Sequence, residues 1–246
     1  MSVAAARGVT LLVVDRTAPF APGAVWRIAW PFAVVVIGIA VLLLTVVVAD
    51  AFGASSDSAS AIATFTGSGV ILLGGIVLVR VLPPGQRRMT VATKRRPWAT
   101  AGLGVAVGLG CVLAAAAIIA VGTHLDPAAE RALEGLDVPV GVVWWHTALI
   151  ACALVVFAPL GEELLFRGIE LRGLVRVMPF AVAAPLSAVI FAAAHLDAYM
   201  IWPRAVALVL VGWVLAWLYR RRGLLGSVLA HGTVNTVATI ALIAQS

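Results

Sequence analysis

Long apolar runs, separated by short stretches that hold nearly all the charge, set the pattern of this chain. The runs are continuous, whereas membrane strands would alternate polar and apolar positions. A helix needs about 20 apolar residues to cross a bilayer, and seven runs approach that length. The first covers residues 28–49 and ends at Asp50. The second covers 61–82 and stops at Pro83-Pro84, and the third covers 98–121. A fourth helix is predicted over 142–178. It is too long to lie wholly in the bilayer, so its Arg172 and Arg176 end is expected in water. After a turn at Pro179 come a fifth span over 181–196, a sixth over 205–219 and a seventh over 224–244. The expected fold is all-α, a polytopic transmembrane helical bundle of about seven spans. Its parts are a cytoplasmic tail over 1–27, N-terminal transmembrane helices over 28–122 and a C-terminal transmembrane core over 142–244.

Composition supports that class. Of the 246 residues 63% are hydrophobic and 11% charged, against about a quarter charged in soluble proteins. The net charge of +6 does not point to nucleic acid, because the basic residues sit in short loops between apolar runs. With the N-terminus inside, fourteen of the seventeen Lys and Arg residues fall on the inner side, and the outer side holds seven Asp or Glu. This charge asymmetry predicts a cell-membrane, multi-pass protein with a cytoplasmic N-terminus. The first apolar run is longer than the core of a signal peptide, roughly 7–15 residues, and reads as a retained anchor. Cys111 and Cys152 lie mid-span and read as buried apolar residues.

Charge inside the apolar runs is the exception that carries chemistry. Gly161-Glu162-Glu163-Leu164-Leu165-Phe166-Arg167-Gly168 follows about twenty nearly uncharged residues. A charge at bilayer depth costs roughly 2.5–3.5 kcal/mol on insertion scales, so it is rarely placed there without a use. Glu163 and Arg167 are four apart, in the favourable acid-before-base order. Glu162 points about 100° away and has no cation at helical spacing. One carboxylate is expected in an ion pair and its neighbour is left free to act as a general base.

Other polar residues sit at membrane depth. Glu162 lies sixteen residues before Met178 and His195 sixteen after Pro179. In an antiparallel pair turning there the two are level, each about 24 Å from the turn at 1.5 Å per residue. His231 and Asn235 share a face of the last span, about 12 and 18 Å past Gly223 by the same rise. Glu162, His195, His231 and Asn235 are therefore expected to meet in one chamber, in the cytoplasmic half of the membrane. Phe191, one turn before His195, is expected to wall it. Ser187 reads as a helix-packing residue and His124 and His146 as ordinary interfacial histidines; Asp197 and Tyr199 read first as linker residues close to His195, with orienting it the less favoured role.

Glu162-Glu163-x-x-x-Arg167, Phe191-x-x-x-His195 and His231-x-x-x-Asn235 together resemble the three motifs of the CAAX-protease and bacteriocin-processing family of intramembrane proteases. The resemblance covers about residues 142–240, in the family's order and spacing. It implies an intramembrane endopeptidase cutting near the cytoplasmic membrane face. Glu162 would activate water with the help of His195, and His231 and Asn235 would hold the oxyanion. Glu163 and Arg167 would support the site. The expected partners are the lipid bilayer and a peptide or protein substrate, lipidated or membrane-bound, with no nucleic acid. No cofactor is expected. Zinc held by a glutamate, His195 and His231 is the alternative, weakened by the lack of an HExxH pair and by asparagine's poor affinity for zinc. A transporter or proton relay would normally show repeats or broken helices, and no repeat is found. An idle scaffold or immunity protein of the same fold would not need every motif residue, and all are present.

Overall fold

The computed structural model describes residues 23–93, 96–134, 143–195 and 201–244. Among them the protein is helical without strands. Six helices are long and apolar enough to cross a membrane, and a seventh is apolar but shorter. In chain order they are α1 (Gly23–Ala51), α2 (Ser56–Arg80), α3 (Pro84–Val91), α4 (Pro97–Leu125), α5 (Pro127–Glu134), α6 (Trp144–Leu174), α7 (Phe180–Ala193), α8 (Trp202–Arg222) and α9 (Leu224–Ile243). The short helices α3 and α5 lie between the apolar runs, α3 carrying Arg87 and Arg88 and α5 carrying Glu130 and Glu134.

The organising element is α6. Half of its most apolar window is buried, against 17% for α1 and α4. It packs against α1, α2, α7 and α9, while α1 lies along α2, α4 along α8 and α9, and α7 along α8. Two close backbone contacts set where its neighbours sit. A Cβ on Gly161 would lie 2.7 Å from the backbone nitrogen of Leu72, so α6 touches α2 directly beside Glu162. A Cβ on Gly108 would lie 2.6 Å from the Ala230 carbonyl oxygen, so α4 touches α9 directly beside His231. The Gly104 and Gly108 pair thus makes the close contact that small-residue spacing permits.

Several boundaries differ from the sequence reading. Helix α1 begins at Gly23, inside the expected tail, because nothing in that apolar stretch after Pro22 stops a helix. Helix α6 ends at Leu174 rather than near Met178. Its Arg172 is 8% exposed and does not project into water as expected, although Arg176 is exposed. The reason is packing, since the last turn of α6 lies against α1 and α7. Helix α7 is only 14 residues long. The readings placed on Asp197, Tyr199 and most of the N-terminal tail lie outside the described residues.

Candidate active site

Helix α6 is not uniformly α-helical. It is π-helical over Ala153–Phe157 and again over Glu163–Glu170, with an α-helical turn between. A π turn bonds i to i+5 and often marks a functional site. The first one follows from Pro159. The Ala158 N–H bonds to the Ala153 carbonyl, and the next residue is a proline with no N–H to give. The carbonyl of Leu154 is thereby left for a side chain, and Asn235 on α9 takes it, donating from Nδ2 at 2.8 Å.

The two glutamates face different surroundings. Glu163 is fully buried. Its Oε2 lies 3.4 Å from Arg167 Nε, and its Oε1 accepts from Nδ1 of His231 at 3.1 Å. Arg167 is equally buried; it donates from Nη2 to the Gly212 carbonyl at 3.2 Å and lies 4.5 Å from the centre of the Phe191 ring. The expected ion pair is present, and it is also the support on which His231 rests. Glu162 is 14% exposed, and its Oε2 makes no hydrogen bond. That oxygen lies 4.0 Å from His195 Nε2 and 3.8 Å from His231 Nε2.

Both imidazoles are oriented through their other nitrogen. His195 Nδ1 lies 2.9 Å from the Phe191 carbonyl. A carbonyl and a carboxylate only accept, so Nδ1 carries the proton in each ring and Nε2 is turned toward Glu162. The Phe191 ring sits behind this arrangement, 4.9 Å from the His195 ring and 5.7 Å from the His231 ring, centre to centre. The structure thus brings Glu162, His195, His231 and Phe191 together. It sets Asn235 at the same end, tied to Leu154.

Two participants were not found by reading the sequence. Pro159, three residues before Glu162, could have been recognised as a donor missing inside a span. Glu170 is a third carboxylate on α6 and, like Glu163, fully buried, and its Oε2 accepts from Ser187 at 2.7 Å. Ser187 is thus a hydrogen-bonding partner, not a packing residue alone. His146 is buried, and its Nε2 bonds to Ser58 at 2.9 Å, away from the chamber.

The described residues thus form a multi-span helical bundle in which a carboxylate and two histidines converge. Residues 144–237 match the model of a known family, described as type II CAAX prenyl endopeptidase Rce1-like. Over these residues the chain is similar to that family, which indicates a membrane protease, and six of its described helices are long and apolar enough to cross a membrane. No curated protein and no solved structure matches the chain.

Proposed function

We propose that this protein is an intramembrane endopeptidase in which Glu162 is the base that activates water. The observation that carries the reading is the Glu162 Oε2 atom, an unbonded carboxylate oxygen between two imidazole nitrogens. A water placed between Glu162 and His195 donates one hydrogen to each, since Nε2 of His195 is an acceptor. Its lone pair is then directed at a substrate carbonyl. As the C–O bond forms, the proton passes to Glu162. His231 keeps its Nδ1–H on Glu163 and turns its Nε2 edge toward the site of the oxyanion, where an N–H at that nitrogen would donate. The second N–H of Asn235 is the other donor. One such donor is worth about 2.7–4 kcal/mol in a preorganised site. Glu162 then returns the proton to the leaving amine and the C–N bond breaks.

The substrate is proposed to be a membrane-bound or lipidated protein, reaching the site from the bilayer. A cavity of about 330 Å³ between α6 and α9 supports this. It is lined by Val155, Leu160, Gly232 and Thr236 among others, next to Glu162, His231 and Asn235 along their helices. The charge distribution supports a cytoplasmic N-terminus in the cell membrane and cleavage near the cytoplasmic face.

A second reading, zinc-dependent hydrolysis at the same site, draws on one observation. Each imidazole has Nδ1 engaged by a carbonyl or carboxylate, the orientation seen in metal-binding histidines. Glu162, His195 and His231 would hold the ion. Against it, no group of three or more His, Cys, Asp or Glu among the described residues is arranged to hold a metal.

The test compares protein termini in membranes carrying the wild type and Glu162→Gln. A substrate terminus present only with the wild type supports the proposal. Turnover of a cleavable reporter should then survive exhaustive chelation of the purified protein. Loss on chelation with recovery on stoichiometric zinc would favour the second reading.

A further inference from the structure

Away from the catalytic chamber, three arginines from two helices meet at one end of the bundle. Arg27 lies at the start of α1, and Arg172 and Arg176 lie at the end of α6 and just beyond it. Arg172 and Arg176 are near enough to act electrostatically on Arg27. Arg27 is 3% exposed and Arg172 is 8% exposed. Nη2 of Arg27 donates to Gln86 on α3, but its Nε and Nη1 have no partner, and neither does Nε of Arg172. Arg176 is exposed and forms the rim. Burial and the neighbouring Arg172 charge hold its guanidinium below the ordinary arginine range. Among the described residues no carboxylate forms an ion pair with any of these three charges.

Helix electrostatics explain only part of this cluster. Cations suit a helix C-terminus, which accounts for Arg172 and Arg176. Arg27 stands near the N-terminal end of α1, where the helix dipole disfavours a cation and favours an anion. A buried guanidinium with two unpartnered donors is costly unless an acceptor reaches it. Arginine's planar fork matches phosphate oxygens. Trp26, beside Arg27 at 5.2 Å from ring centre to Cζ, is the kind of residue that sits at headgroup level.

We propose that Arg27, Arg172 and Arg176 form a phosphate-binding site occupied by the headgroup of an anionic phospholipid. Basic pockets between transmembrane helices take such headgroups. The bound phosphate would bridge α1 to the end of α6, ten residues along the helix from Glu162, about 15 Å at 1.5 Å per residue. Lipid composition would then tune how firmly the catalytic helix is held. This inference is independent of the catalytic roles proposed above.

The test uses the full-length protein in detergent and follows its melting temperature during titration with phosphatidylglycerol, phosphatidylcholine or inorganic phosphate. Phosphatidylglycerol is expected to raise the melting temperature, and phosphatidylcholine is not. Arg176→Gln removes a rim charge without disturbing the buried pair. It should shift the phosphatidylglycerol midpoint by roughly tenfold, as for loss of one charge-assisted contact. Arg88→Gln removes an exposed charge on α3 and should leave the midpoint unchanged. Stabilisation by inorganic phosphate at equal concentration would assign the site to a free phosphate instead of a lipid. Equal effects of the two phospholipids with none from phosphate, or equal loss in the Arg176 and Arg88 variants, would overturn the proposal. The Arg27→Gln and Arg172→Gln variants add a second reading by native mass spectrometry, in which retained phosphatidylglycerol should be lost wherever the variant folds.

Discussion

Asn235 donates its side-chain N–H to the carbonyl of Leu154 on the neighbouring helix, 2.8 Å away. The contact exists because Pro159 cannot supply the backbone donor that carbonyl would otherwise find. A residue three positions before Glu162 thereby sets the direction of an amide on another helix. Pro159→Ala restores the N–H and lets α6 close its own hydrogen bonds. The melting temperature should hold or rise, since the proline's helix penalty is removed. Turnover should fall by roughly tenfold, about 1.4 kcal/mol of lost transition-state stabilisation, as Asn235 loses its anchor. Unchanged turnover would show that the Leu154 contact has no part in orienting Asn235.

Substituting the two glutamates should have opposite consequences. Glu163→Gln leaves Arg167 charged and unpaired among buried groups and weakens the hold on His231. Breaking a buried pair typically costs about 3–5 kcal/mol, so melting temperature and membrane yield should drop, with activity per folded molecule only partly reduced. Glu162→Gln keeps the shape and removes the base. Stability should hold or rise while turnover falls by roughly 10²–10⁴-fold. A Glu162→Gln enzyme that keeps its turnover, beside a stable but inactive Glu163→Gln enzyme, would place the base on the other carboxylate.

His195→Ala combined with Glu162→Gln should cost little more than Glu162→Gln alone, because both groups act on one water. Steady-state turnover of the same reporter for each single variant and for the double variant measures the coupling. Additive losses would mean that the two residues serve separate steps.

Gly161→Ala tests the contact that seats the catalytic helix. Its Cβ would fall 2.7 Å from the Leu72 nitrogen and 2.8 Å from the Leu72 Cα. Backbone cannot yield as a side-chain tip does, and overpacking of this kind typically costs about 1–3 kcal/mol. The melting temperature should fall accordingly. Gly102→Ala on α4, where a Cβ meets nothing within 4 Å, is the matched control and should be neutral.

Orientation is open to a labelling experiment. Cysteines placed singly at Gly85 and Ala128, both exposed, in a background without Cys111 and Cys152 would sit on opposite faces of the membrane. An impermeant thiol reagent on intact cells should label the Ala128 position alone. Labelling at Gly85 instead would reverse the orientation and move the chamber to the other face.

Sequence alone determined the class and the inventory of this protein. Apolar runs of bilayer length, broken by basic and acidic turns, are readable without coordinates because hydropathy depends on position along the helix axis. The same axial arithmetic put Glu162 level with His195, and their side chains do approach to 4.0 Å. What hydropathy and spacing do not report is the rotation of each helix about its axis and which neighbour it faces. Tertiary structure decided that Glu163 serves His231 across 68 positions of chain, and that Ser187 answers Glu170. It also decided that Arg172 is buried although its place at the end of a span suggested water. The π turns around Glu162 alter that rotation within the helix itself, so a uniform 100° per residue misjudges which way its side chains point.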